Sequence, residues 1–167
     1  MKKLLSLLIL TGTLFAQANN IFTLNPSVNS AGMGNVGIAH ADVKNVFHNP
    51  AFAGLNKRHQ EISYVDWLPN LTDDMGYQSI LYTSDLGWSS EIFYFNYGTQ
   101  VEADQGGIII GDFESSSYRV SGGYGFGIGD WLFGARLNLY NHNFIDSFDI
   151  KMNYGFDLGA YKEFGNT

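Results

Sequence analysis

The sequence predicts an all-β protein, a transmembrane antiparallel β-barrel with a short N-terminal helical plug. Three observations carry that reading. The first is a period of two. Tyr118, Val120, Tyr124, Phe126 and Ile128 share one register, interrupted only by Gly122, while Arg119, Ser121, Gly123, Gly125 and Gly127 fill the other. After Gly129-Asp130 the pattern resumes, with Trp131, Phe133, Ala135, Leu137 and Leu139 against Leu132, Gly134, Arg136, Asn138 and Tyr140. Successive strand side chains point to opposite faces, so these are two strands joined by a tight turn. The second is length. Runs of ~10 residues exceed the ~5–6 usual in soluble proteins and match a tilted strand crossing a bilayer, ~9–11 residues. The third is composition: 16% aromatic residues, 20 glycines, 3 prolines and only 15% charged residues, against ~25% charged in ordinary soluble chains. A lipid face and a lumen face average to such a composition. A soluble β-sandwich has the same alternation, with the apolar register packed between two layers.

The composition also excludes other classes. The chain of 167 residues has no cysteine, hence no disulfide, thiolate metal site or lipoprotein acylation point. A net charge of −7 argues against nucleic acid as a partner, because phosphate binding needs a basic surface. Residues 1–18 read as a signal peptide: Lys2 and Lys3, an apolar run from Leu4 to Phe15, then Ala16-Gln17-Ala18 as a small-x-small cleavage site. An N-terminal membrane anchor is the alternative, for which the run is short. Removing Lys2 and Lys3 leaves seven basic against 16 acidic residues, a net charge of −9. Export combined with lipid-length strands points to the outer membrane of a two-membrane bacterium, with outer-membrane lipid as the first partner.

Residues 19–60 form the expected arm or plug. Pro26 cannot donate to a strand ladder, so a central strand is disfavoured around it. Gly32, Gly34 and Gly37 suit tight turns. Asp42 caps a short helix over Val43 to Phe47, and Asn49-Pro50 stops it. Residues 61–167 hold the strands. Glu61 to Leu68, Gly76 to Leu86 and Trp88 to Tyr97 precede the central hairpin. Trp67 and Trp88 sit at strand ends, as boundary aromatics or as ordinary core residues. Trp88 to Tyr97 is apolar on both faces over part of its length, which suits lipid outside and a plug or apolar ligand inside. Gly98 to Phe113 reads as an acidic, glycine-bearing loop. It lacks the spacing of a Ca²⁺ loop, so solvent exposure is its simplest role. A last lipid-length strand carries Met152, Tyr154, Phe156, Leu158 and Ala160 in one register and Asp157 and Gly159 in the other. Asp157 and Arg136 fall in inward registers of neighbouring strands and could pair there. The register expected to face lipid is Tyr118, Val120, Tyr124, Phe126, Phe133, Leu137, Phe156 and Leu158.

Several short fragments occur in a recognisable order: Ala31-Gly32-Met33-Gly34, Asn49-Pro50-Ala51, Trp67-Leu68-Pro69, Phe95-Asn96-Tyr97-Gly98, Gly134-Ala135-Arg136-Leu137 and Asp157-Leu158-Gly159-Ala160-Tyr161. Over about 130 residues this order resembles the PorV/PorQ family of FadL-like outer-membrane barrels, its fingerprint here being Gly32, Gly34, Asn49, Pro50, Trp67, Tyr97, Gly98, Asp157 and Gly159. The resemblance implies a non-enzymatic barrel in type IX secretion, partnered by other secretion subunits, that helps shuttle or attach cargo at the cell surface. FadL-like barrels have ~14 strands, so the chain reads as an N-terminal portion of a larger barrel. The sequence ends on Phe164-Gly165-Asn166-Thr167, which looks like the start of a turn.

No motif for an active site or cofactor stands out. His40, His48, His59 and His142 lack metal-ligand spacing. The glycines from Gly122 to Gly127 lie inside an alternating strand, not between a strand and a helix, so they are no phosphate loop. Some small barrels hydrolyse lipids with Ser and His near the rim, and His142 with Ser147 would be the pair for that chemistry, without a third partner to complete it. Two other functions fit a barrel of this kind: a FadL-like transporter of small hydrophobic compounds, and a small complete barrel of ~8 strands as a structural surface protein.

Overall fold

A computed structural model describes residues 20–35, 37, 40–72, 74–143 and 152–163. The expected signal peptide, Ser147 and the C-terminal turn lie outside the described residues. The all-β expectation holds. Six strands form one antiparallel sheet in sequence order: β1 (His59–Asp66), β2 (Gly76–Thr83), β3 (Trp88–Ala103), β4 (Ile109–Ile128), β5 (Trp131–Asn143) and β6 (Met152–Lys162). β1 and β6 are its two edges, so the described sheet is not closed. The second sheet that a β-sandwich requires is absent among the described residues.

One expected element needs correction. Gly98 to Phe113 is not a loop. β3 runs on to Ala103 and β4 starts at Ile109, so the two form a ribbon that extends past the rest of the sheet. The chain passes from sheet to ribbon through irregularities between Asn96 and Thr99 and between Glu102 and Ala103. Gly98 sits at the first, with φ +74, where a side chain would be strained. At the tip, Asp104 Oδ1 accepts from the backbone N–H of Gly106 (2.8 Å) and Ile108 (2.9 Å). That carboxylate closes a turn.

The N-terminal segment packs on one face of the sheet through short helices, three of them started by a side-chain cap. Ser27 caps α1 (Val28–Gly32), accepting from Ser30 N, and Gly34 ends the following turn at φ +78. Asp42 caps a 3-10 turn, Val43–Asn45, accepting from Lys44 N at 3.0 Å. This turn is shorter than the helix expected from Val43 to Phe47. It ends at Asn45, with Val46 as its C-cap, before Asn49 is reached; Asn49 instead caps the next element, the 3-10 helix Pro50–Leu55, accepting from Ala51 N at 3.0 Å. Proline fits a first helical position because the N–H it lacks has no partner there anyway.

The cross-strand register builds rows that run across the sheet. On the uncovered face one row reads Ile62, Ile80, Ile92, Val120, Leu139, Tyr154. The neighbouring row, one residue along each strand and on the covered face, reads Glu61, Leu81, Glu91, Ser121, Asn138, Gly155. The usual polarity of a folded chain is reversed. Val120, Tyr124, Phe126, Leu137, Phe156 and Leu158 are exposed, Tyr118 and Phe133 half-buried, while Arg119, Glu91 and Asn138 are buried.

Candidate functional site

The covered face has three layers, each holding the N-terminal segment differently. The first is a floor of glycine. Gly125 pairs with Gly134, and Gly134 with Gly159, so three strands present bare backbone in one line. The helix Pro50–Leu55 lies on it. A Cβ at Gly134 would sit inside contact of the Pro50 carbonyl, and one at Gly125 would meet Gly54 N. The helix reciprocates, since a Cβ at Gly54 would lie 2.8 Å from Phe126 N. Asn49 Nδ2 donates to Ala160 O at 3.1 Å beside Gly159. The floor thus brings the adjacent pair Asn49-Pro50 to Gly159, about 110 residues further along the sequence.

The second layer is charged. Arg119 Nε donates to Glu91 Oε1 at 2.8 Å, its Nη2 meets the same oxygen, and its Nη1 meets the Phe22 carbonyl. Both side chains are buried, at 2% and 3% exposure, which makes this a desolvated ion pair. Arg136 pairs with Asp157, its register partner on β6, through Nη2 at 2.7 Å and Nε at 3.0 Å, and Asn138 Nδ2 adds a third donor at 2.8 Å. Phe47 of the N-terminal segment stacks with both guanidinium groups, 4.5 Å from Arg119 and 5.2 Å from Arg136. Such contacts strengthen when desolvated. Breaking a buried ion pair by removing one partner costs about 3–5 kcal/mol.

The third layer is aromatic. Tyr77, Phe93 and Phe95 are buried together, with Ile21, Leu24, Trp67 and Tyr97 against them. The apolar covered side of β3 is therefore packed against the N-terminal segment. Trp67 packs edge-on to Phe95 at 5.9 Å, a core role, whereas Trp88 is exposed. Gly98 lies just beyond, beside Asp74, whose Oδ2 accepts from Thr99 N at 2.7 Å. Gly32 has open space around it, apart from all three layers.

A cleft of about 550 Å³ opens between the N-terminal segment and the sheet, lined among others by Phe22, Phe47, His48, Arg119, Arg136 and Asp157. His48 Nε2 accepts from Asn25 Nδ2 at 3.0 Å, since an amide N–H only donates, and Asn25 also donates to Asn35 Oδ1 at 2.9 Å. Burial first, and the Arg136 charge second, hold His48 below its ordinary pKa of 6.5.

One pairing had no sequence signal. His142 Nδ1 lies 2.6 Å from Ser117 Oγ, and Tyr97 hydroxyl is 3.1 Å from the same Ser117 oxygen; the expected partner of His142, Ser147, lies outside the described residues. Ser117 is fully buried, and Phe22 of the N-terminal segment packs tilted against His142 at 4.5 Å. A nucleophile needs an approach path, and Ser117 is fully buried. Among the described residues, no three His, Asp or Glu side chains gather to hold a metal. Compared with known proteins, the chain matches no family model, no curated protein and no solved structure.

Proposed function

We propose that this chain is the membrane-embedded part of a non-enzymatic outer-membrane β-barrel of the PorV/PorQ type, in the FadL-like class. The observation that supports it is the reversed polarity of the sheet. Water would face a continuous apolar surface of Ile62, Ile80, Ile92, Val120, Leu137 and Phe156, while Arg119–Glu91 and Arg136–Asp157 lie on the face the plug covers. That arrangement is unfavourable in water and favourable in hydrocarbon. The dimensions agree. From Tyr118 to Ile128 the outward register spans ten residue steps, or ~34 Å at ~3.4 Å per residue. At a strand tilt of ~35–45° this spans ~24–28 Å of height, against an apolar band of ~25 Å in such barrels. Beyond Tyr118 the same register turns to Ser116, Glu114 and Asp112. In a bilayer the free edges of β1 and β6 need further strands to pair with.

The test is depth-dependent quenching of tryptophan in vesicles with brominated lipids. Trp88 and Trp131, the exposed tryptophans, are quenched by bromines near the headgroups, and a W88F/W131F protein loses that quenching. Absence of quenching with a folded protein would sink the membrane reading. The role in type IX secretion rests on the resemblance alone. Deleting the gene from its bacterium and assaying surface attachment of secreted cargo tests it, and normal attachment removes it. A second reading, transport of small hydrophobic compounds, draws on the cleft beside Phe22 and Phe47. Extraction of the purified protein for retained lipid or hydrocarbon separates the two.

A further inference from the structure

The ribbon of β3 and β4 leaves strand edges uncovered. β2 reaches only to the level of Asn96 on β3, and β5 only to Ser116 on β4, so no described strand lies beside residues 99–103 or 109–115. Thr99 N donates to Asp74 Oδ2, so this N–H is not spent on β4. In an antiparallel ladder the backbone groups alternate, and Val101, two residues on, points the same way. The side chains of this edge alternate as well. Thr99, Val101 and Ala103 share one face, with Ile109 opposite Ala103, while Gln100 and Glu102 share the other. Val101 is 59% exposed and Ile109 69%. Sheet edges are commonly blunted with Lys or Pro, and residues 99–103 contain neither.

We propose that the β3 edge from Thr99 to Ala103 is a docking site for an extended, basic segment of another protein, which adds to it as a strand. In such additions main-chain bonds supply affinity and alternate side chains supply choice. An incoming strand with apolar residues beside Val101 and Ala103, and Lys or Arg beside Glu102, makes the favourable cross-strand pairs. Charge selects the occupant. Residues 98–117 hold Glu102, Asp104, Asp112 and Glu114 and no Lys, Arg or His. A second copy of the chain would set one ribbon's carboxylates against the other's, which is destabilising. Lipid is excluded by height, a step that rests on the membrane reading above. Val101 pairs with Asp112, six residue steps beyond Tyr118, or ~20 Å of strand. At a tilt of ~35–45° this is ~14–17 Å beyond the last outward aromatic residue, past a headgroup layer of ~5–8 Å. The side follows from the connections. At the ribbon's end they are 67–75, 104–108 and 144–151, against 84–87 and 129–130 at the other end. Barrels turn short connections to the periplasm and longer ones outward, so the partner meets the ribbon at the cell exterior.

The experiment places the whole chain in phosphatidylcholine vesicles and titrates it with a labelled octapeptide of alternating Val and Lys, read by fluorescence anisotropy. The expected result is saturable binding that weakens roughly tenfold or more when alternate peptide nitrogens are N-methylated, which keeps the charge and blocks strand pairing. Glu102→Lys, at an exposed position, should lose the Val-Lys peptide and gain its Val-Glu counterpart. No binding of the Val-Lys peptide, equal binding of the N-methylated form, or a Glu102→Lys protein that binds Val-Lys as before overturns the proposal. Quenching of Trp88 and Trp131 by brominated lipids, read in the same vesicles, separates the two readings. Failure of the peptide with quenching intact removes the docking edge alone. Lost quenching removes the membrane reading, and this inference with it.

Discussion

The glycine floor and the aromatic layer seat the same N-terminal segment by opposite means. At the floor the sheet gives up side chains, so that the backbone of the helix Pro50–Leu55 meets the backbone of β4, β5 and β6. At the aromatic layer Phe93, Phe95 and Tyr77 supply volume, and the segment offers Ile21 and Leu24 to be packed against. The difference teaches where tolerance lies. Side-chain packing can relax around a change of shape, whereas a backbone-to-backbone contact has nothing soft to move.

The strongest way to break the comparison is Gly134→Val. Its side chain would enter the space of Pro50 and Ala51 backbone, and the expected loss exceeds the ~1–3 kcal/mol of ordinary overpacking. Limited proteolysis checks it: cleavage within residues 20–58 should accelerate while the strands stay protected. Next comes Phe93→Ala in the aromatic layer. The residue is fully buried, and an expected cost of about 3–5 kcal/mol should appear in a urea titration in lipid with local cleavage of the plug nearly unchanged. If Phe93→Ala loosened the plug as much as Gly134→Val, the two layers would not differ in kind. Between the layers, Arg119→Met should cost about 3–5 kcal/mol, because it strands Glu91. Adding Glu91→Leu should recover much of that, and a double-mutant cycle measures the recovery.

The smallest effect is a dependence on pH. His48 binds a proton less readily when folded than when unfolded, because of burial and then Arg136. The unfolded chain therefore takes up more protons below about 6.5, and stability falls as pH drops from there through the lowered folded value. Above that window His48 has no effect. Protonation would also remove the acceptor for Asn25. Denaturant midpoints from pH 8 to pH 5 should fall less in His48→Gln than in the unmodified protein.

The central hairpin is legible in the sequence because β4 and β5 alternate strictly and Gly129-Asp130 marks their turn. Arg136 and Asp157 are legible too, since each falls in the inward register and their strands are neighbours. The ribbon is not. Glycines at 98, 106, 107 and 111, the acidic residues Glu102, Asp104 and Asp112 and the run Ile108-Ile109-Ile110 hide a period of two that two irregularities have also shifted. Glu91 with Arg119 escapes for a related reason. Their meeting depends on how β3 and β4 register across that ribbon, and no local spacing encodes it. Ser117 with His142 is set by strand register in the same way. The floor is half visible: the glycines of β4 stand out along the chain, but their partners Gly134 and Gly159 align only once the strands are paired.

The line from Gly125 through Gly134 to Gly159 also sets what lengths evolution can allow. One residue inserted into β5 between Trp131 and Gly134 would push Gly134 out of line and swing its own side of the strand around. Every residue after it that kept its old neighbours would do so only by a bulge; otherwise Arg136 would turn outward and Leu137 inward. Two inserted residues would restore the facing but still misalign the row. The tip from Asp104 to Ile108 carries no such constraint, being exposed throughout. Changes in chain length among descendants of this sequence should therefore gather at that tip and spare the first residues of β5.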